Sequence, residues 1–281
     1  MSNNFVENYK MDDRVNFNKI ETCVDGHRKI IQNRYRKNGE VFFTSLQGSQ
    51  NYGLADSKSD VDTKTLLVPH LKQVLFEKPI TDTVILENNE HADVKDVREM
   101  FRMFEKQNTN FIEILFSPYK WVNHKYFNEY AWLIHHAEQI AFGNPHQTIQ
   151  ANLGHIREKI KKFDNSTIGT AADVERLGYD PKQLHHMYRL QDFLISFVDR
   201  VDGKNKKTYK SMLLEPHNKD FLMKCKRGYF NRQYAESMRS SMESWVSFFE
   251  QEYSQKYPNE QTWNMRKFFQ DLSYDLIKKV E

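Results

Sequence analysis

The sequence predicts an α+β protein, with strands and helices mixed through residues 1–120 and an all-α second part over 121–281. Two observations carry this. Short runs of β-branched and aromatic residues, bounded by turn-forming residues, crowd the first part. From Trp121 onward apolar residues recur at helical spacing, and Gly143-Asn144-Pro145 and Gly178-Tyr179-Asp180-Pro181 punctuate them. The 281 residues suit one large domain or two ordinary ones, and 39% hydrophobic residues are enough to bury a core.

After a polar, irregular lead-in over residues 1–20, Glu21 to Arg36 is expected to be helical, with Ile20, Val24, Ile30 and Ile31 as its apolar positions. Val41 to Leu46 reads as a buried strand, and Gln47-Gly48-Ser49 as the turn that ends it. Further strands are expected at 65–68, stopping at Pro69, and at 83–86 and 92–95. The period then changes. Val97, Met100, Phe101 and Phe104 share one helical face, with Asp96 as the N-cap. An apolar run over 111–116 encloses Glu113 and is closed by Ser117-Pro118. Helices are expected at 127–142, 145–163, 181–200, 208–226, 230–256 and 260–280. In the fifth of these Trp245, Phe248, Phe249 and Tyr253 have the spacing of packing residues.

Charge narrows the function. Against 38 Asp+Glu stand 41 Lys+Arg, a net +3, too little for a protein that coats a polyanion but compatible with a local basic groove. Cys23 and Cys225 are far apart and imply neither a disulfide framework nor a zinc site. The histidines form no HExxH pattern, which disfavours a zinc hydrolase. No stretch is apolar enough to span a bilayer, and residues 1–14 lack the apolar core of a signal peptide, so a cytoplasmic protein without membrane partners is expected.

The most informative segment runs from Gly48 to Lys64. A strand delivers Gly48-Ser49 to a turn, Tyr52-Gly53 follows, and Asp60 and Asp62 stand at i and i+2 at the entry to the next strand. On a strand, i and i+2 face the same side, so the two carboxylates repel unless a cation lies between them or one takes a proton. Such oxygen ligands suit Mg²⁺ or Mn²⁺, and the N–H groups and hydroxyl of the Gly48-Ser49 turn can hold a phosphate beside them. A third carboxylate from a neighbouring strand would complete a two-metal site: Asp93 on a short strand, or Asp96 at its junction with a helix. Glu113, among apolar neighbours, reads as a buried structural hydrogen-bond partner. Further along, Asp180 and Pro181 start a helix on which Lys182, His186 and Arg189 fall at i, i+4 and i+7, a stripe suited to triphosphate oxygens; His185 faces elsewhere. Lys224-Cys225-Lys226-Arg227, near Tyr229 and Phe230, mixes charge and aromatics as a single-strand-binding surface does, although such clusters are commonly plain surface.

Gly48-Ser49…Tyr52-Gly53…Ser59-Asp60-Val61-Asp62 resembles the active-site signature of the DNA polymerase β-like nucleotidyltransferase superfamily, and within it the predicted nucleotidyltransferase branch associated with RNA repair ligases. Asn108 to Pro118 resembles that branch's Asn-Pro-Asn-x-x-Glu-Leu-Leu-Phe-x-Pro segment, with Thr109 in place of proline and hence a looser turn. Gly178-Tyr179-Asp180-Pro181-Lys182…His186…Arg189-Leu190 resembles its Gly-Tyr-Asp-x-Lys…His…Arg-Leu helix. The likeness covers about residues 40–200. It implies a mixed-sheet catalytic domain over 1–120 and a helical domain over 121–281 that completes the nucleotide and acceptor site.

The expected activity is metal-dependent transfer of a nucleoside monophosphate from ATP or another nucleoside triphosphate to an acceptor hydroxyl, with release of pyrophosphate. Asp60, Asp62 and Asp93 would hold Mg²⁺ or Mn²⁺, with Asp96 the alternative to Asp93. Gly48, Ser49, Tyr52, Lys182, His186 and Arg189 would bind the nucleotide. An RNA end, such as that of a tRNA, is the first acceptor the resemblance implies. A protein hydroxyl, a small molecule such as an aminoglycoside, and a non-catalytic nucleotide- or RNA-binding module are the alternatives.

Overall fold

Residues 17–56, 59–86, 89–167, 169–253 and 255–281 are described in a computed structural model; most of the polar lead-in, and residue 254 within the expected fifth helix, lie outside them. The first part runs α1 (Phe17–Tyr35), β1 (Gly39–Gln47), β2 (Asp62–Pro69), α2 (Leu71–Phe76), β3 (Thr81–Ile85), β4 (His91–Asp96), α3 (Val97–Glu105), α4 (Thr109–Ile112) and β5 (Lys120–Val122). The strands form one mixed sheet in the order β3-β4-β2-β1-β5, in which β2 and β4 are parallel and the other neighbours antiparallel.

Alternation along the strands divides the sheet. Leu46, Leu67, Ala92 and Val94 face α1 and pack with its Ile20, Val24 and Ile31. On the opposite face Leu66 and Val68 join Phe101 and Phe104 of α3. A bulge between Val41 and Phe43 lets Val41 turn to α1 while Phe42 and Phe43 both enter the larger core. Gln47, Asp62, Lys64, His91 and Asp93 lie on this second face by register, at the end where β1 leaves the sheet and β2 enters it. One face is therefore apolar at one end and polar at the other.

The second part comprises α5 (Phe127–His135), α6 (Ala137–Ala141), α7 (Pro145–Lys161), α8 (Ala171–Leu177), α9 (Pro181–Val201), α10 (Tyr209–Leu214), α11 (Lys219–Lys226), α12 (Arg232–Tyr253) and α13 (Met265–Val280). Asn144 and Asp180 cap α7 and α9 by accepting from the N–H groups of Gln147 and Lys182, each with a proline opening the helix. Buried on both its α7 and α11 sides, α9 is the hub of this part. The core is continuous with that of the sheet: Phe269 of α13 stacks on Phe101 of α3, ring centroids 4.7 Å apart.

Several expectations are refined. Lys120–Val122 pairs with β1, so the sheet extends to the position where helices alone were expected. The helix expected at 208–226 is two helices, parted at Glu215-Pro216, because proline disfavours helical geometry in the residue before it. That expected at 127–142 is also two, and that at 260–280 begins at Met265. Phe248 is exposed, whereas Trp245, Phe249 and Tyr253 stack along α12. Cys23 and Cys225 are free thiols. Among the described residues no helix is long and apolar enough to cross a membrane.

Candidate active site

Gly48 leaves β1 with φ +85°, a left-handed conformation that a Cβ would strain, and its N–H donates to the Glu113 carboxylate at 2.8 Å. The turn is braced from below: Asn51 donates to the Leu46 carbonyl at 2.9 Å, and Ser117 donates to Asn51 at 2.7 Å. Glu113 and Ser117 both belong to the Asn108–Pro118 segment, so that segment fixes the turn. Thr109, which stands where a proline was expected, is buried and accepts from Asn152 of α7 at 2.7 Å, a tie that offsets the freedom a proline would have removed. Around the turn lies a cleft of about 210 Å³ lined by Gly48, Ser49, Tyr52, Asp62, His186 and Arg189, all expected from sequence, and also by Gln47, Lys64, Asn110, Glu113 and His185.

Asp60 and Asp62 converge as the i, i+2 spacing requires, and His91 of β4 joins them: one ligand atom from each lies within 4.8 Å of the others. Parallel pairing of β2 with β4 sets His91 beside Asp62, which accepts from the His91 backbone N–H at 2.8 Å and lies 3.2 Å from its Nδ1. Burial pushes the Asp62 carboxyl above its usual range, Asp60 adds like-charge repulsion, and the hydrogen bonds from His91 oppose both. Two mutually repelling carboxylates and an imidazole, all part-exposed, fit a divalent cation such as Mg²⁺ or Mn²⁺. His91 was not expected, because nothing in the sequence gives the register of parallel neighbours.

Asp93 is not a member of that cluster. Its carboxylate pairs with Lys64 at 2.8 Å and accepts from Thr83 at 2.6 Å. Burial opposes its ionisation, but the charge and hydrogen bond of Lys64 override this and hold it below the usual carboxylate range. Asp96 lies apart from the cluster. It is fully buried, caps α3 through the N–H of Arg98, forms an ion pair with the Arg98 guanidinium at 2.7 Å, and accepts from Ile80 N–H at 2.8 Å.

On the facing helix Arg189 is buried, its guanidinium 4.4 Å from the centroid of the Tyr52 ring, and its Nε has no hydrogen-bond partner among the described residues. Burial raises the Glu113 pKa to about 7 against the opposing charge of Arg189 and the Gly48 N–H. His185 is buried, donates from Nδ1 to the Leu222 carbonyl at 2.9 Å, and is held by burial at a pKa of about 3. Burial likewise lowers His186 well below its ordinary value, with His185 and Arg189 acting in the same direction. The expected cationic stripe is thus carried by exposed Lys182 and buried Arg189, with a neutral His186 between them.

That α11 reaches the loop carrying Asp60 is not legible in the sequence. Lys226 donates to the Leu54 carbonyl and to Ser59 Oγ, both at 2.8 Å, and lies 3.7 Å from Asp56. Gln50 donates to the Asp60 carbonyl at 3.3 Å from the other side. The lysine read from sequence as part of a surface cluster therefore fastens the segment carrying Asp60. Lys226→Met is expected to weaken Mn²⁺ binding by roughly 5–10-fold, the loss of charge-assisted hydrogen bonds that order a ligand. Titration followed by electron paramagnetic resonance measures it, and an unchanged Kd would show that the loop is held without Lys226.

A comparison with curated proteins gives no match. The sequence profile of a family described as RNA repair pathway DNA polymerase beta family (RlaP) matches residues 24–191. The match takes in α1 from residue 24 onward, the whole sheet, the Gly48 turn, Asp60, Asp62, His91, Glu113 and the α9 face that carries Arg189. With more than half of its length matched, the chain belongs to the RNA repair pathway DNA polymerase beta family.

Proposed function

We propose that the protein is a nucleotidyltransferase that moves a nucleoside monophosphate from ATP or another nucleoside triphosphate to the terminal hydroxyl of an RNA, tRNA included, in the cytoplasm. The observation that carries this is the convergence of the Asp60–Asp62–His91 cluster and the Gly48-Ser49 turn on one cleft faced by Arg189. A Mg²⁺ or Mn²⁺ ion bound at Asp60, Asp62 and His91 would offset phosphate charge and acidify the acceptor hydroxyl.

The chain's own groups do the rest. Ser49 and the backbone of its turn receive phosphate oxygens, and Arg189, with a donor left unpartnered, supplies charge-assisted hydrogen bonds to them. The acceptor oxygen forms its bond to the α-phosphorus as the bond to the bridging oxygen breaks. Pyrophosphate leaves with the electron pair, and the hydroxyl proton passes to solvent. Positioning and electrostatics suffice, and no covalent protein intermediate is needed. The family's description as an RNA repair pathway supports RNA as acceptor. So does exposed Lys224 beside exposed Tyr229, 5.6 Å from its ring centroid, at the end of the helix that clasps the Asp60 loop.

The test is incubation with α-labelled nucleoside triphosphates, Mg²⁺ or Mn²⁺, and RNA, cell protein or no acceptor. Label is expected on RNA and absent with Asp60→Asn. Label on protein alone would replace the acceptor, and no transfer to any acceptor would refute the activity.

A further inference from the structure

Lys64 has no part in the reaction so far described, yet it is the most deeply placed cation on the polar end of the sheet. Its side chain is 5% exposed, lies over the Phe111 ring 4.5 Å from the centroid, and donates to Gln47 and Asp93. Standing at i+2 from Asp62 on β2, it shares the face of the metal cluster and lines the same cleft. Both carboxylate oxygens of Asp93 opposite it are engaged: Lys64 at 2.8 Å, Thr83 at 2.6 Å and Gln47 at 3.5 Å. A second divalent cation on Asp93 would have to displace an ammonium buried against an aromatic ring, leaving that ammonium without its counter-ion. The cost of an uncompensated buried charge opposes this.

We propose that Lys64 occupies the place of a second metal ion, so that the site takes one divalent cation, on Asp60, Asp62 and His91, and receives its remaining positive charge from the Lys64 ammonium held by Asp93. The inference rests on the nucleotidyltransferase reading and changes its metal count. One divalent cation and one ammonium balance the three carboxylates Asp60, Asp62 and Asp93. Asp93 then orients Lys64 and is not a metal ligand, and Lys64 offers its hydrogens to oxygens in the cleft.

The experiment counts Mn²⁺ bound to the full chain by electron paramagnetic resonance, with the metal alone and with an ATP analogue whose α,β-bridge is methylene. Wild type is expected to bind one ion per chain in both conditions, and two would overturn the proposal. Lys64→Met frees Asp93 and is expected to admit a second, weaker ion; a count that stays at one contradicts the displacement argument. Should that variant fail to fold, Asp93→Asn decides. It is expected to keep one Mn²⁺ with a Kd within about 2-fold of wild type, and a loss of 10-fold or more would make Asp93 a ligand. No bound Mn²⁺ at all would remove both the proposal and the metal-dependent reading. One bound ion without label transfer to any acceptor would remove only the reaction.

Discussion

Asp62→Asn is expected to reduce nucleotidyl transfer by roughly 10³-fold while leaving the metal-free protein as stable as wild type or more so. The two halves of this result have one cause. Asp62 sits where burial and the neighbouring charge of Asp60 both disfavour its ionised form. An amide at this position keeps an oxygen to accept from the His91 N–H, now at 2.8 Å, and removes the like-charge repulsion. A site held against its own electrostatics for the sake of a ligand gains stability when the charge is deleted. Thermal melting without metal, beside transfer assays with Mn²⁺, reads both. A melting temperature well below wild type would show instead that the carboxylate is a structural hydrogen-bond partner. Added Mn²⁺ should raise the melting temperature of wild type and leave Asp62→Asn nearly unmoved, because only a ligand-competent native state is stabilised by mass action.

How far this arrangement could be read from the chain depends on the range of each interaction. The pairing of Asp60 with Asp62 is local, since strand alternation alone places them on one side, and the Gly48 turn follows from a strand ending in glycine. The caps Asp96, Asn144 and Asp180 are local too, and the structure finds each accepting from the N–H groups at the start of its helix. Proline at 216 was a legible stop within the helix expected at 208–226, and reading it as one would have separated α10 from α11. Lys120–Val122 is three residues long, too short to show any period, and becomes a strand only because β1 offers it an edge.

What could not be read is whatever a long-range register decides. His91 meets Asp62, and Asp93 meets Lys64, because β4 lies parallel to β2 with Lys64 opposite Asp93. Shift that register by one residue and neither contact exists. Sequence favours Asp93 with Asp96 as the alternative, the two standing three residues apart on one short run. The structure separates them by their partners: one on the polar face with Lys64, the other buried at the start of α3 with Arg98 and the Ile80 N–H. Lys226 lies more than 160 residues from Ser59 in the chain, and only the packing of α11 on α9 brings it to the loop.

Nucleotide binding is expected to weaken by roughly 10-fold between pH 6 and pH 8, and Glu113→Gln is expected to abolish most of that dependence. Glu113 lies under the Gly48-Ser49 turn with its pKa raised to about 7, so it is largely neutral at pH 6 and largely ionised at pH 8. The ionised form would repel an incoming triphosphate, compete for the Gly48 N–H and neutralise Arg189, the cation proposed to meet the triphosphate. The same group fixes a sign for stability. Its folded-state pKa of about 7 exceeds the ordinary 4.5, so between these values the native state binds more protons than the unfolded state. Stability from this group is complete below about pH 4.5 and is lost as pH rises to 7, by an order of 3 kcal/mol. Glu113→Gln keeps the acceptor for Gly48 and should flatten the melting temperature across that window. Arg189→Met removes a charge that favours ionised Glu113. It should therefore push the Glu113 transition to higher pH while lowering triphosphate affinity more than 10-fold. Titration of nucleotide affinity in the three proteins separates the two roles. If wild type and Glu113→Gln share one pH profile, the ionisation lies on another group, and the turn is held by a carboxyl that never changes charge in this range.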